Sequence, residues 1–136
     1  MEIRICKNPE ELGKSAAKYV AECINACIAE KGVARIVLST GNSQLDTISA
    51  LVKEDVDWSR VEMFHLDEYV GIDETHIASF RKYLKEKFVE KINLKKAYFV
   101  HGDEKSIPAL TEEIRKAPID IGLIGIGENA HIPFND

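Results

Sequence analysis

Residues 34–43 read ARIVLSTGNS, a largely apolar stretch that passes directly into small and polar residues. The first part of the stretch, residues 34–39, has the composition of a strand that is buried on both faces of a parallel sheet. A tight turn is predicted directly after it, at Thr40, Gly41, Asn42 and Ser43. A helix is expected from this turn to about residue 53. A buried strand, a short polar turn and a helix form the repeating unit of α/β proteins.

The same alternation extends towards both ends of the chain. On the N-terminal side, Asn8, Pro9 and Glu11 are typical of a helix start, and apolar residues then recur at helical spacing until Gly32. A short strand is expected before this helix, at residues 3–5. On the C-terminal side, strands are expected at residues 61–66, 97–100 and 119–124, and helices at about 79–91 and 108–116.

This order predicts an α/β fold, in which a three-layer α/β/α sandwich surrounds a mostly parallel, Rossmann-like sheet. The chain length of 136 residues suggests one domain. The chain ends shortly after the strand at 119–124, before any helix that would cover that strand. We therefore expect residues 1–136 to form a single domain that is truncated at the C-terminus.

Composition and charge exclude several classes of function. Apolar residues make up 45% and charged residues 30% of the chain, as in ordinary soluble domains. Lys and Arg number 18 against 23 for Asp and Glu, and the resulting net charge of −5 argues against a general nucleic-acid partner. No apolar run reaches the ~20 residues of a membrane span, and the N-terminus lacks a signal-peptide pattern. We expect a cytoplasmic protein with neither nucleic acid nor membrane as a partner.

Three segments are expected to form one composite site. In open α/β sheets, ligands bind beyond the carboxyl ends of the parallel strands. Residues 39–43, 67–71 and 125–136 each follow such a strand end. The first of these segments suits a phosphate, because a glycine allows close approach and Thr40 and Ser43 offer hydroxyl donors. The alternative is a plain strand-to-helix turn with a Ser or Asn cap.

The other two segments carry the residues that could move protons. Asp67 and Glu68 are adjacent, so one carboxylate could face a pocket as a general base while its neighbour turns away. The alternative is a solvated acidic turn. His131 lies among polar residues in GIGENAHIPFND (residues 125–136), where Asp136 could orient its ring. The alternative is a loop histidine that bonds only to backbone.

Two other features of the sequence have structural interpretations. His65 lies within a predicted strand and is expected to be a hydrogen-bonded core residue. The charged residues at 81–87 are expected to form the solvated face of an amphipathic helix.

Together these segments resemble the glucosamine-6-phosphate deaminase family, which shares its fold with the 6-phosphogluconolactonases. The resemblance is carried by STGNS (39–43), FHLDEYVG (64–71), HIASF (76–80) and GIGENAHIPFND (125–136), in the order and spacing of the family. The match covers this chain but only about the first half of the length of the family. Basic residues that clamp the phosphate in the family are therefore expected beyond Asp136.

The resemblance implies an enzyme that needs no metal or organic cofactor. Such an enzyme opens the pyranose ring of glucosamine 6-phosphate, isomerises the sugar through an enediol-type intermediate and releases ammonia to give fructose 6-phosphate. By analogy, Asp67 removes the proton at C2 and His131 assists ring opening. Asp136 falls where the family has an acidic residue that supports the histidine. Asn129 stands where the best-known members have an acid, and its amide can orient a ring but cannot accept a proton.

A small-molecule sugar phosphate is the partner that the resemblance implies. Substrate-binding residues are expected in all three segments, at Thr40, Gly41, Asn42, Ser43, Glu68 and Gly127. Two alternatives stay open, a 6-phosphogluconolactonase-like hydrolase and a non-catalytic sugar-phosphate-binding module. Family members often assemble and an exposed sheet edge favours pairing, so a homo-oligomer also stays open.

Overall fold

A computed structural model of the chain describes residues 2–134, so the expected role of Asp136 lies outside the described residues. Helices and strands alternate through this part of the chain. In order they are α1 (Pro9–Lys31), β1 (Ala34–Leu38), α2 (Leu45–Leu51), β2 (Val61–His65), α3 (Phe80–Lys87), β3 (Lys96–Tyr98), α4 (Ile107–Arg115) and β4 (Ile121–Leu123). Short 3-10 turns occupy Asn42–Gln44, Trp58–Arg60 and Val89–Lys91.

The strands form one parallel sheet in the order β3-β2-β1-β4. Leu38 at the end of β1 lies beside both His65 of β2 and Leu123 of β4. From β1 the chain builds outward through β2 and β3, and it then returns to the other side of β1 as β4. This reversal opens a crevice between the carboxyl ends of β1 and β4, where α/β proteins bind ligands. The predicted α/β fold with a parallel sheet is confirmed.

The main core lies on one face of the sheet. Alternate strand residues such as Ile36, Met63 and Leu123 point to this face, where they pack with buried residues of α1, α2 and α3. Burial of these apolar side chains is the main stabilising contribution to the fold. These three helices form one outer layer of the sandwich.

Helix α4 lies on the other face of the sheet, where it is held by Arg35. The side chain of this β1 residue is buried and stacks over the ring of Phe64, 4.6 Å from its centroid. Its guanidinium donates hydrogen bonds to the carbonyl oxygens of Glu113 (2.7 Å), Ile114 (3.1 Å) and Ala117. These carbonyls lie at or just beyond the C-terminal end of α4, where the helix offers few N–H partners, although the Glu113 carbonyl also accepts from the Lys116 N–H at 3.3 Å. A charged residue inside an apolar strand thus attaches the third layer.

Local sequence signals account for α1. The side-chain oxygen of Asn8 accepts a hydrogen bond from the backbone N–H of Glu11 at 2.8 Å. The Glu11 carboxylate accepts a bond from the N–H of Lys7 at 2.9 Å, one residue earlier than in a standard capping box. Gly32 ends the helix with a φ of 81°, in the left-handed region that favours glycine. The predicted bounds of α1 are confirmed.

The strand expected at residues 3–5 is wrong. Residues 2–6 have no regular secondary structure, and Ile3 and Ile5 are 73% and 94% exposed. The guanidinium of Arg4 lies over the ring of Tyr19, so this segment runs along α1. Alternating apolar residues suit a strand, but a strand also needs a neighbour for its backbone groups, and none lies beside this segment within the described residues.

The other predicted helices and strands are present, and they differ from the prediction only in where they begin or end. The helix expected at 79–91 stops at Lys87 and is followed by a 3-10 turn, and the strand expected at 97–100 occupies Lys96–Tyr98. Within residues 2–134, no helix combines the length and the apolar composition needed to cross a bilayer.

Candidate functional site

A cavity of about 640 Å³ opens at the carboxyl ends of β1, β2 and β4. Its size lies within the range of small-molecule sites. The three segments predicted from the sequence all contribute to it. The described lining residues are Ser39, Thr40, Gly41, Asn42, Ser43, Asp67, Tyr69, Phe80, Gly125, Ile126, Gly127, Glu128, His131 and Pro133. None of these described lining residues is Lys or Arg.

The turn after β1 and the turn after β4 are in direct contact. The hydroxyl oxygen of Ser39 accepts hydrogen bonds from the backbone N–H of Gly125 at 2.8 Å and from the Gln44 side chain at 3.1 Å. A Cβ atom at Gly125 would lie 2.6 Å from the Ser43 hydroxyl oxygen, so a larger residue would force that hydroxyl to move. Gly41 has a φ of 114°, a conformation that side chains rarely adopt. These contacts place the hydroxyl and amide groups of residues 40–43 at the cavity.

Asp67 faces the cavity with a half-buried carboxyl group. Burial raises its pKa, and the neighbouring negative charge of Glu68 raises it further, whereas His131 acts in the opposite direction. The net result is a carboxylate that is more basic than an ordinary aspartate. A raised pKa improves a carboxylate as a general base near neutral pH.

Glu68 turns away from the cavity, and its side chain is 0% exposed. One carboxylate oxygen accepts hydrogen bonds from the Ser79 hydroxyl at 2.8 Å and the Arg81 N–H at 2.9 Å, and the other accepts from the Phe80 N–H at 3.1 Å. Burial opposes ionisation of Glu68, but the backbone N–H groups of Arg81 and Phe80 and the Ser79 hydroxyl hold its pKa at about 2. The structure therefore places Glu68 outside the group of cavity-lining residues to which the sequence had assigned it. Asp67 and Glu68 do divide as predicted, one towards the cavity and one away.

Arg81 is buried, and the expectation that it lies on a solvated helix face is wrong. Its Nε lies 3.2 Å from the Glu68 carboxylate, and Nη2 donates to the Ile72 carbonyl at 2.6 Å. Its Nη1 lies 3.2 Å from Nδ1 of His101. Helical spacing identified the helix, but the spacing could not show that the loop after β2 covers its first turn.

His131 lies at the cavity on a turn that is closed by backbone contacts. The Gly127 N–H donates to the His131 carbonyl at 2.8 Å, and the Ala130 N–H donates to the Gly127 carbonyl at 2.9 Å. The side-chain oxygen of Asn129 accepts from the backbone N–H of His131 at 3.3 Å. Asn129 thus supports the turn rather than the imidazole ring. Ala130 has a φ of 62°, in the left-handed region that favours glycine.

His65 is buried as expected, but it is not hydrogen-bonded as expected. Neither ring nitrogen has a hydrogen-bond partner among the described residues, although the Val100 backbone comes near the ring. The ring instead packs edge-on against Phe99, with centroids 5.9 Å apart. Burial lowers the pKa of His65 to about 4. The ring is therefore neutral at physiological pH.

Residues 7–133 match the model of the family described as glucosamine-6-phosphate isomerases/6-phosphogluconolactonase. The chain belongs to this family. Both parts of the family description name enzymes that act on sugar phosphates. The family resemblance predicted from the sequence is confirmed.

Curated proteins similar to this chain are named glucosamine-6-phosphate deaminases. One, from Lactobacillus delbrueckii subsp. bulgaricus, is 29% identical over all of this chain and 58% of its own length. Another, from Arthrobacter sp. strain FB24, is 32% identical over all of this chain and 55% of its own length. The chain thus spans slightly more than half the length of these relatives.

Solved structures of both branches of the family share the fold. A monomeric glucosamine-6-phosphate deaminase has a TM-score of 0.81 and 26% identity, covering 97% of this chain and 58% of its own. A 6-phosphogluconolactonase from Shewanella baltica OS155 has a TM-score of 0.78 and 20% identity, covering 93% of this chain and 57% of its own. The second likeness shows the fold alone.

Several residues that line the cavity were not predicted as site residues from the sequence. Tyr69 and Phe80 line the cavity, and their rings pack together with centroids 4.9 Å apart. Glu128 also lines the cavity. Each lies within a segment that the family resemblance includes, but only the packing of the segments shows which side chains reach the cavity. In the part of the chain that the structure describes, no group of three or more His, Cys, Asp or Glu side chains is arranged to hold a metal ion.

Proposed function

We propose that the chain supplies the catalytic base, the ring-opening histidine and part of the substrate-binding turn of a glucosamine-6-phosphate isomerase-deaminase. One observation carries this proposal. The half-buried carboxyl group of Asp67, whose pKa is raised, faces the same cavity as His131 and the turn at residues 40–43. A carbon acid next to a carbonyl needs such a base, and a histidine nearby can move protons between sugar oxygens.

The described residues can be assigned to successive steps. The side chains of Thr40, Asn42 and Ser43 hold polar groups of the sugar phosphate. His131 assists transfer of the anomeric hydroxyl proton to the ring oxygen as the bond between C1 and that oxygen breaks, which produces an open-chain aldehyde. Asp67 then removes the proton at C2. The resulting enol-type intermediate is reprotonated at C1, and water replaces the nitrogen at C2, which leaves as ammonia.

The overall reaction consumes one water molecule and involves no net oxidation or reduction. Asp136, which lies outside the described residues, keeps its proposed role in supporting the histidine. Asn129 supports the turn that carries His131 through its backbone contact. Glu68 is proposed to position Asp67 rather than to bind substrate.

The deaminase is favoured over a lactonase because Asp67 faces the cavity and has a raised pKa, two features that favour a base for a C–H proton. Hydrolysis of a lactone needs an activated water but no base that forms an enol. The 29% and 32% identical relatives are named deaminases, which supports the same choice. A small-molecule sugar phosphate is the proposed partner.

The test is an ammonia-release assay with glucosamine 6-phosphate on the product of the complete encoding reading frame. We expect Asp67→Asn to lower kcat by about 10²–10⁴-fold, the usual contribution of a general base, with little change in KM. The matched control is Asp73→Asn, an exposed aspartate in the same loop. Full activity of Asp67→Asn would overturn the assignment of the base.

The pH dependence gives a second measurement in the same assay. Asp67 acts only when ionised, and its pKa lies above the ordinary value of 3.8. We therefore expect kcat to fall as the pH decreases through this raised pKa, at a higher pH than for an ordinary aspartate. Hydrolysis of 6-phosphogluconolactone without ammonia release would instead identify a lactonase. Binding of glucosamine 6-phosphate without turnover would identify a non-catalytic module.

A further inference from the structure

We propose that helix α3 is a positioning helix, which sets the spacing between Asp67 and the substrate-binding turn through Arg81 and Tyr83. This role rests on the proposed function, because both loops line the same cavity. Neither Arg81 nor Tyr83 lines that cavity, so each would act through another residue. Arg81 would position the base, and Tyr83 would position the turn.

On the side of the base, the loop after β2 is attached to the first turn of α3. Ser79 caps α3 by accepting a hydrogen bond from the Lys82 N–H, and the same hydroxyl donates to the Glu68 carboxylate at 2.8 Å. The backbone N–H and the Nε of Arg81 bind that carboxylate as well, at 2.9 and 3.2 Å. Because Glu68 directly follows Asp67 in the chain, fixing its carboxylate restricts where the Asp67 side chain can lie.

Arg81 connects this loop to two further segments. Nη2 donates to the Ile72 carbonyl at 2.6 Å, and Nη1 lies 3.2 Å from the ring nitrogen of His101, after β3. The guanidinium is planar and directs its donors in fixed directions. A lysine keeps the charge but offers a single ammonium group, which cannot reach all three partners with this geometry.

On the side of the substrate, α3 contacts the turn after β1. The hydroxyl of Tyr83 lies 3.4 Å from the Gly41 carbonyl, to which it donates. That carbonyl also accepts the N–H of Gln44 at 3.0 Å, so it is a fixed point of the turn. Burial of the Tyr83 ring raises its pKa to about 12, which keeps the hydroxyl protonated as a donor.

Helix geometry explains how one short helix reaches both loops. Residues two apart on an α-helix differ by about 200° around the axis, so Arg81 and Tyr83 project to nearly opposite sides. Arg81 contacts the loop that carries Asp67, and Tyr83 contacts the substrate-binding turn at residues 40–43. The two contacts are therefore expected to have separable effects on catalysis.

Steady-state kinetics with glucosamine 6-phosphate test this separation. Tyr83→Phe removes one hydroxyl contact to the turn, and we expect KM to rise about 2- to 10-fold while kcat stays within about twofold. Arg81→Lys weakens the contacts that hold the loop of Asp67 in place, and we expect kcat to fall at least about 10-fold with little change in KM. The control variant is Glu86→Gln, an exposed residue of the same helix.

Backbone amide hydrogen exchange without substrate tests the positioning role independently of activity. We expect Tyr83→Phe to speed exchange in residues 41–44 but not in 67–71, and Arg81→Lys to do the reverse. If the wild type releases no ammonia but this exchange pattern appears, the proposed function fails and the positioning role stands. If both variants speed exchange in both loops, or lower kcat and raise KM together, α3 is only a structural support and the inference is overturned.

Discussion

At the scale of single residues, the surroundings shift the pKa values of two neighbouring carboxyl groups in opposite directions. Asp67 and Glu68 are adjacent carboxylates that project to opposite sides of the chain. Burial and the charge of Glu68 raise the pKa of Asp67, whereas hydrogen-bond donors around Glu68 outweigh burial and hold its pKa at about 2. One carboxylate is therefore suited to accept a proton, and the other stays charged and holds the loop.

The buried histidine makes stability depend on pH. The folded-state pKa of His65 is about 4 and its ordinary value is 6.5, so the unfolded chain binds more protons between these values. Stability is therefore lost as the pH falls through this window. We expect the wild type to lose about 2 kcal/mol more than His65→Phe between pH 7 and pH 5, measured by urea unfolding. His76→Gln, at an exposed position, should behave like the wild type. An equal loss in His65→Phe would contradict this explanation.

At the scale of elements, α1 and α2 pack closely because α1 has a glycine at the contact. A Cβ atom at Gly13 would lie 2.6 Å from the backbone carbonyl carbon of Asp46. This close approach determines where α2 lies, and α2 follows directly after the turn that lines the cavity. A glycine that weakens the helix locally thus permits the packing that supports the site.

Gly13→Ala is expected to destabilise the fold. Alanine favours helix by about 1 kcal/mol, but the clash involves backbone atoms that cannot rotate away. We expect the free energy of unfolding to fall by about 1–3 kcal/mol in urea denaturation. Lys18→Ala, at an exposed position of α1, is the control and should change stability little. A more stable Gly13→Ala variant would show that the two helices separate at little cost.

At the scale of the whole molecule, the order of the strands creates the site. The reversal between β1 and β4 brings residues 39–43 and 125–133 together, although they are far apart in the chain. Ser39 links these segments through its bond to the Gly125 N–H. The cavity is therefore formed by two turns that are in direct contact with each other.

Glycine-to-alanine changes at two positions test the importance of this contact. In Gly125→Ala the new Cβ would lie 2.6 Å from the Ser43 hydroxyl oxygen and displace this cavity-lining group, whereas in Gly122→Ala it would meet the Val37 side chain at 3.4 Å. We expect Gly125→Ala to weaken binding of glucosamine 6-phosphate by about 10-fold or more, because about 1.4 kcal/mol of lost contact has this effect. Gly122→Ala should bind normally. Equal affinities, measured by calorimetry, would rule out a role for the close contact.

Much of the fold could be predicted from the sequence because the signals are local. The run of apolar residues in β1, the cap at Asn8 and the glycine at position 32 each act within a few residues. The parallel order of the sheet follows from the alternation of strands and helices, which allows few topologies. The sequence also placed three polar segments at strand ends, and that was sufficient to predict a composite site containing Asp67 and His131.

Tertiary structure alone decided which groups are covered and by what. Residues 3–5 have the pattern of a strand but have no strand beside them in the described part of the chain, and Arg81 has the pattern of an exposed residue but pairs with Glu68 beneath a loop. The pattern of a strand likewise could not show that the buried ring of His65 meets no hydrogen-bond partner among residues 2–134. Sequence patterns report local preference, whereas strand pairing, burial and pKa depend on atoms that come from distant parts of the chain. The sequence by itself therefore determined the family and the alternation of helices and strands from residue 9 onward, whereas the packing of the loops determined which side chains reach the cavity.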